Sequence, residues 1–206
     1  MFRDLIGRTV LLLSLATALV AVSVAVDLPR AGATAAVEHG AAGHGAGAAL
    51  HAPVTSEAEF IAGMIPHHQE AVDTAREVAE RGKRPEVRAL ARDIVAAQAD
   101  EIAKLEAWLA AWYPEAPPAD YAPMMRRLEG LTPPAVDVVF VFDMIMHHEM
   151  AIAMAREALA LEPPPRAEVA ALARDVIAEQ GEEIALLRGW VDAWWPDGAA
   201  AHDAGH

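Results

Sequence analysis

The sequence predicts an all-α protein, a four-helix bundle made of two repeated helical hairpins. Of its 206 residues, 54% are hydrophobic, and helix formers outweigh β-branched residues beyond the N-terminus. A Met-Ile-x-His-His sequence occurs twice, at residues 64–68 and 144–148. Residues 86–108 also match residues 168–190, at an offset of 82. A repeat on this scale indicates a fold built from two similar units.

The first hairpin has clear helix boundaries. Ser56 can cap the first helix, with Glu59 three residues later completing a capping box, and Gly82 is a typical residue for its C-terminal end. Pro85 suits the first turn of the second helix, which must end before Pro114. The short loop between these helices predicts that they are antiparallel neighbours.

The second hairpin follows a connection of about 20 residues, consistent with the lengths of loops that carry some structure of their own. We expect a short helix over residues 121–128 within this connection. The third helix is predicted to begin after Thr132, with two prolines in its first turn, and to end before Pro163. The fourth helix is predicted from about Arg166 to Trp195.

The N-terminus carries an uncharged apolar run at residues 9–26, preceded by Arg3 and Arg8. This length lies between a signal-peptide core and a membrane span. The two arginines favour placement of the remaining chain outside the cytoplasm. The run therefore predicts export, with either cleavage as a signal peptide or retention as a membrane anchor. The predicted location is periplasmic, secreted, or on the outer face of the cytoplasmic membrane.

Residues 28–54 are rich in Ala, Gly and His, a composition typical of a flexible linker. The linker histidines could capture metal loosely or could have no role. The predicted domain limits are 1–27 for the signal peptide or anchor, 28–54 for the linker, 55–196 for the bundle and 197–206 for a flexible tail.

Charge and cysteine content exclude several classes of function. The formal net charge is −14, so nucleic acid should repel the chain. The chain has no cysteine, which excludes disulfides, Cys-based zinc sites and iron–sulfur clusters. A metal site would have to use His, Met, carboxylate, amide or backbone ligands.

The two histidine pairs lie on the predicted apolar faces of the first and third helices. At 100° per residue, His68 and His148 fall in the middle of these faces, and His67 and His147 fall on their edges. A methionine precedes each pair by one turn. Two further methionines share the edge with His147, so the second copy is richer in sulfur.

Polar residues also interrupt the apolar faces of the second and fourth helices. Counted from the hairpin turn, Gln98 and Glu101 are level with the first histidine pair, and Gln180 and Glu183 are level with the second. A carboxylate on a core face needs a cation, a metal ion or a proton. The sequence therefore predicts a polar belt in the bundle, with these candidate metal ligands: His67, His68, His147, His148, Met64, Met144, Glu101, Glu183, Met150 and Met154.

Imidazole and thioether ligands together favour copper, as Cu(I) or Cu(II). Zinc held by His and Glu is the alternative metal. A di-iron site is disfavoured because the chain lacks the Glu-x-x-His motif of such bundles. A metal-free alternative also stands, in which His68–Glu101 and His148–Glu183 satisfy each other as buried pairs.

At these motifs the sequence resembles the domain of unknown function 305 family, which includes CopM-like exported copper-binding proteins. The resemblance covers about residues 55–196 and rests on the two Met-Ile-x-His-His motifs and on the Gln-x-x-Glu-Ile segments that begin at Gln98 and Gln180. It implies a ferritin-like four-helix bundle, export and, in some members, copper binding. The chain departs from the family at Leu105 and Leu187, where a methionine is common.

These observations predict an exported protein that binds or buffers copper without catalytic turnover, since no nucleophile or phosphate loop is apparent. Two alternatives remain open: an extracytoplasmic interaction module with buried His–Glu pairs, and a small metal-dependent redox enzyme. The predicted partner is a metal ion, with membrane anchoring by residues 9–26 as an option. The sequence leaves the oligomeric state undetermined.

Overall fold

The computed structural model describes residues 53–196, and within this range the protein is all-α, as predicted. The four helices are α1 (Glu57–Arg81), α2 (Pro85–Trp112), α3 (Pro133–Leu159) and α4 (Ala167–Trp194). The predicted signal or anchor segment, nearly all of the linker and the tail lie outside the described residues.

The helices form two hairpins that pack through their first members. Helix α1 packs on α2, α3 packs on α4, and α1 packs on α3. By length and composition α3 could cross a membrane, but 61% of its most apolar 18-residue stretch is buried in the protein. Such burial is that of a core helix in a bundle.

The start of α1 follows the predicted capping pattern, and Thr55 adds hydrogen bonds to Glu59. The Ser56 hydroxyl accepts a hydrogen bond from the Glu59 amide, as a capping box requires. The Glu59 carboxylate accepts hydrogen bonds from the Thr55 amide and hydroxyl. Thr132 is the N-cap residue of α3, but its side chain makes no capping hydrogen bond.

Gly82 ends α1, although not in the left-handed conformation typical of a C-terminal glycine. Its φ is −56° and its ψ is 147°. A Cβ atom here would lie 2.8 Å from the Val78 carbonyl oxygen and 2.9 Å from Asp137 Oδ1. Glycine is therefore required by the close approach of the Val78 carbonyl of α1 and of the Asp137 side chain of α3. The Asp137 carboxylate accepts hydrogen bonds from the Lys83 and Arg84 amides, both 2.8 Å long.

Asp137 belongs to one of two related contacts that join the hairpins, which we call the end clasps. In the first clasp, Asp137 of α3 holds the loop between α1 and α2. The Arg84 guanidinium of that loop lies 4.0 Å from the centre of the Trp194 ring at the end of α4. The first clasp thus connects the start of α3, the first hairpin loop and the end of α4.

The second clasp uses residues at the corresponding positions of the repeat. Glu57, 80 positions before Asp137, accepts hydrogen bonds from the Arg166 amide and guanidinium and from the Tyr113 hydroxyl. The Arg166 guanidinium lies 4.6 Å from the Trp112 ring centre. Each hairpin loop is therefore held by a carboxylate of the other hairpin.

The connection between the hairpins contains no helix at residues 121–128, so the short helix predicted there is wrong. The Glu70 carboxylate of α1 accepts hydrogen bonds from the Met124 and Met125 amides, each 2.9 Å long. The Asp143 carboxylate of α3 accepts one from the Arg126 amide, 2.8 Å long. Because side chains of α1 and α3 bind these amides, the segment lies along the bundle as an extended strap.

Two apolar clusters fill the bundle, one toward each end. The first contains Phe60, Ile61, Met64, Leu105, Met150, Ala151, Met154, Ala155, Ala158, Val169, Leu172, Ala173 and Val176. The second contains Ala71, Ala75, Val78, Val87, Leu90, Ala91, Ile94, Leu128, Val136, Phe140, Val141, Met144 and Leu187. The histidine pairs fall between the two clusters along α1 and α3.

Candidate metal centre

The four histidines of the repeated motif are all fully buried, each 0% exposed. His67 and His147 meet across the α1–α3 contact, with ring centres 3.7 Å apart and ring planes tilted by 38°. The neighbouring pairs, His67–His68 and His147–His148, have ring centres 6.1 and 6.3 Å apart. The sequence placed His67 and His147 at the edges of the apolar faces, and the structure brings them together in the interior.

His68 and His148 each bind a glutamate from the partner helix of their own hairpin. His68 Nε2 lies 2.8 Å from Glu101 Oε2, and His148 Nε2 lies 2.6 Å from Glu183 Oε2. In a neutral imidazole whose Nε2 donates to a carboxylate, Nδ1 carries the lone pair. A carboxylate that fixes a histidine tautomer in this way is common behind metal-binding imidazoles.

His147 makes a different contact. Its Nε2 donates to the His67 carbonyl oxygen at 3.1 Å and lies 3.6 Å from Glu70 Oε2. Burial lowers the pKa of His147 well below its usual value, and the nearby His148 and His68 lower it further. The imidazole is therefore neutral at physiological pH, as a metal ligand must be.

Several polar atoms of this layer are buried and unpaired. Among residues 53–196, no hydrogen-bond partner is found for Nδ1 of His68, His147 and His148, or for Oε1 of Gln98 and Gln180. Buried polar atoms in native proteins normally have partners, so these five indicate room for a water or an ion. Within the described part of the chain, no three His, Asp or Glu side chains already form a metal-ligand set.

The predicted methionine ligands divide unequally between the two sides of the histidine layer. Met64, Met150 and Met154 belong to the first apolar cluster, and Met144 alone belongs to the second. Glu70 occupies the position in α1 that Met150 occupies in α3. One side of the layer thus offers three thioethers, and the other offers one thioether and a carboxylate.

Glu70 is a half-buried carboxylate near the histidines that the predicted ligand set leaves out. Its carboxylate accepts from the Tyr121 hydroxyl and from two amides of the strap. The Tyr121 ring lies edge-on to His67, with centres 6.0 Å apart. Burial raises the pKa of Tyr121, and the adjacent Glu70 raises it further. Tyr121 therefore stays protonated and covers this side of the layer. A sequence signal existed, because Glu70 departs from the Met150 of the other copy.

On the opposite side, a narrow crevice runs between α2 and α4. Its polar lining consists of Gln98, Glu101, Glu179, Gln180 and Glu183. Burial raises the pKa of Glu179, and the nearby negative charges of Glu101, Asp175 and Glu183 raise it further. We refer to this feature as the α2–α4 crevice.

The fold and this layer define a four-helix bundle of two hairpins with histidines buried at its centre. The chain matches the family described as Domain of unknown function (DUF305) over residues 57–191 and again over residues 137–206. The chain belongs to the DUF305 family. No curated protein matches it.

Solved structures of the family share this fold. CopM in the Cu(I)-bound form is 30% identical, with a TM-score of 0.61 over 69% of this chain and 99% of CopM. CopM in the Cu(II)-bound form is also 30% identical, with a TM-score of 0.58 over 67% of this chain and 97% of CopM. A DUF305 protein from Streptomyces coelicolor that is predicted to be secreted is 27% identical, with a TM-score of 0.59 over 66% of this chain and 89% of its own.

Proposed function

We propose that this protein binds and buffers copper outside the cytoplasm, without catalytic turnover. The observation that carries the proposal is the set of three unpaired Nδ1 atoms on buried histidines, at His68, His147 and His148. Buried imidazoles with free lone pairs suit Cu(I) and Cu(II). Structures of CopM in copper-bound forms support the same metal class for this chain.

The observed hydrogen bonds suggest separate roles for the predicted ligands. His68 and His148 would bind through Nδ1, while Glu101 and Glu183 hold the opposite ring nitrogens. The sequence predicted both glutamates as direct ligands, but their contacts favour an orienting role. Loss of such an orienting group typically weakens metal affinity by about tenfold to a hundredfold.

The methionines support Cu(I) on one side of the layer. Met64, Met150 and Met154 pack in one apolar cluster, and thioether sulfur is a soft ligand that Cu(I) accepts together with imidazole. Met144, alone in the other cluster, would contribute less or only pack. Zinc would use the histidines and carboxylates and leave the sulfur atoms as apolar filling.

One observation favours a second candidate, a metal-free helical module. His68–Glu101 and His148–Glu183 are already hydrogen-bonded pairs, and among residues 53–196 no three-residue ligand set is preformed. In that case the pairs would specify how the two helices within each hairpin pack. This candidate predicts that added metal leaves the melting temperature unchanged.

A single preparation tests location and metal together. Cells that express the full chain are grown with added copper or zinc and fractionated, and the purified protein is analysed for metal. Copper in protein from the extracytoplasmic fraction supports the proposal, including export directed by residues 9–26. Metal-free protein in the soluble cytoplasmic fraction would contradict it.

The second experiment tests the histidines directly. Copper at a hundredfold excess over its dissociation constant should raise the free energy of unfolding by about 2.7 kcal/mol if it binds only the folded state. The double variant His68→Gln/His148→Gln should stay folded without metal but lose this increase. A matched variant with His51→Gln and His202→Gln should keep it. An equal increase in both variants would place the copper elsewhere.

A further inference from the structure

The two sides of the histidine layer differ in how they are covered, and this difference suggests how a metal ion arrives. We propose that the hydrated cation reaches the layer through the α2–α4 crevice and that Glu179 is its first contact. This inference rests on the proposed copper-binding function. It adds the route of loading and a residue, Glu179, that lies outside the predicted ligand set.

The α1–α3 side is closed. His67 and His147 are 0% exposed, and Tyr121 packs against His67 from the strap. The strap is fixed there by three hydrogen bonds to the Glu70 carboxylate. A cation arriving from this side would have to displace an anchored segment of chain before it met an imidazole.

The α2–α4 side has polar side chains that reach from the crevice to the histidines. Glu101 and Glu183 line the crevice and are hydrogen-bonded to the buried imidazoles of His68 and His148. Their side chains are 12% and 23% exposed, whereas both histidines are 0% exposed. Each glutamate therefore connects solvent to a candidate ligand within one hydrogen bond.

Two amide oxygens lie along the same path. Gln98 and Gln180 line the crevice, are 3% and 4% exposed, and have no hydrogen-bond partner for Oε1 in the described part of the chain. A cation loses water as it enters a narrow site, and amide and carboxylate oxygens can replace that water. The unpaired Oε1 atoms of these two crevice residues can supply such oxygens.

Electric charge distinguishes the crevice further. Glu179 is exposed and lines the crevice, and it is close enough to feel the charges of Glu101, Asp175 and Glu183, which Lys104 opposes. Converging like charges beside low-dielectric walls raise the local concentration of counter-ions and their association rate. Because Glu179 belongs to neither His–Glu pair, its main effect should be on the rate of loading.

The test is stopped-flow loading of Cu²⁺ into metal-free full-length protein, followed by quenching of tryptophan fluorescence at low ionic strength. Glu179→Lys should slow loading by about threefold to tenfold, and Glu179→Gln by less, while the final stoichiometry is unchanged. Glu106→Lys, the same charge change on an exposed residue of α2 outside the crevice, should slow loading much less. The difference should shrink in 0.5 M salt, where the Debye length is only about 4 Å.

The results separate the two proposals. Equal loading rates for Glu179→Lys and Glu106→Lys, with full copper content in both, would overturn the route but not the copper function. Failure of the wild-type protein to take up Cu²⁺ would overturn both. Faster loading in Tyr121→Phe, which removes one of the three hydrogen bonds that hold the strap to Glu70, would place the route on the α1–α3 side and overturn this inference.

Discussion

Glu70→Met provides a direct test of how the strap is held, because it gives α1 the residue that α3 has at the same position. The variant removes the acceptor for three hydrogen bonds, from the Tyr121 hydroxyl and from the Met124 and Met125 amides. We expect the free energy of unfolding to fall and the strap to loosen while the four helices persist. The helices should persist because their apolar clusters lack Glu70.

The size of the effect follows from the contacts. Hydrogen bonds to a charged group contribute about 1.5–3 kcal/mol each, but three bonds to one carboxylate are not additive. The Glu70 side chain is 12% exposed, so solvent replaces the lost bonds only in part. Added apolar contacts of Met offset some of the loss. We therefore expect a net destabilisation of about 2–4 kcal/mol.

Urea unfolding measures the total loss in free energy of unfolding, and amide hydrogen exchange at Met124 and Met125 shows whether the loss is in the strap. Both amides should exchange much faster in Glu70→Met, whereas the amides in the middle of α3 should remain protected. Tyr121→Phe is the matched control, because it removes one of the three bonds and should cost about 1 kcal/mol. A loss below 1 kcal/mol in Glu70→Met, with Met124 and Met125 still protected, would refute this account of the strap.

Two further predictions concern glycine and pH. Gly82→Ala should destabilise by about 1–3 kcal/mol in urea unfolding, because its Cβ would press on Val78 and Asp137. Gly181 lies in the interior of α4 with open space around it, and Ala99 occupies the matching position of α2. Gly181→Ala should instead raise the free energy of unfolding by about 0.5–1 kcal/mol. Equal effects of the two changes would contradict the close approach at Gly82. For metal-free protein, stability should fall as pH drops below 6.5, because the unfolded chain then binds a proton at His147 that the folded protein excludes. This group can change the free energy of unfolding by at most about 1.4 kcal/mol per pH unit. His147→Gln should therefore reduce the pH dependence of the free energy of unfolding, measured by urea unfolding between pH 6.5 and 5. Burial raises the pKa of Glu57, but hydrogen bonds from Arg166 and Tyr113 outweigh it and lower the pKa, while hydrogen bonds from Thr55 lower the pKa of Glu59. The stability that these two carboxylates contribute is lost only as the pH falls near and below 4.5.

The fold was predictable because its signals are local and repeated. The capping pattern at Ser56, Pro85 at the start of α2 and the period of the apolar residues each depend on neighbours within a few positions. The level of Gln98 and Glu101 with the first histidine pair followed from counting along two antiparallel helices. The structure confirms that level through the His68–Glu101 hydrogen bond.

The features that the sequence did not predict share one cause: they depend on contacts between segments that are far apart in the chain. Residues 121–128 have helix-compatible composition, but Glu70 and Asp143 bind their amides from helices far away in sequence. Gly82 ends α1 as predicted, but the contact with Asp137, 55 positions later, could not be predicted from its neighbours. Periodicity places a side chain on a face of a helix, but it does not identify the segment that will pack there.

The end clasps have a consequence for how the bundle comes apart. Its interior consists of two apolar clusters separated by a polar layer, an arrangement in which one end could melt before the other. However, Asp137 and Glu57 each bind the loop of the opposite hairpin. If the hairpins separate, each therefore loses the contact that holds its own loop. Opening either end costs contacts that belong to both hairpins. We therefore expect the two hairpins to unfold as one cooperative unit, in a single transition.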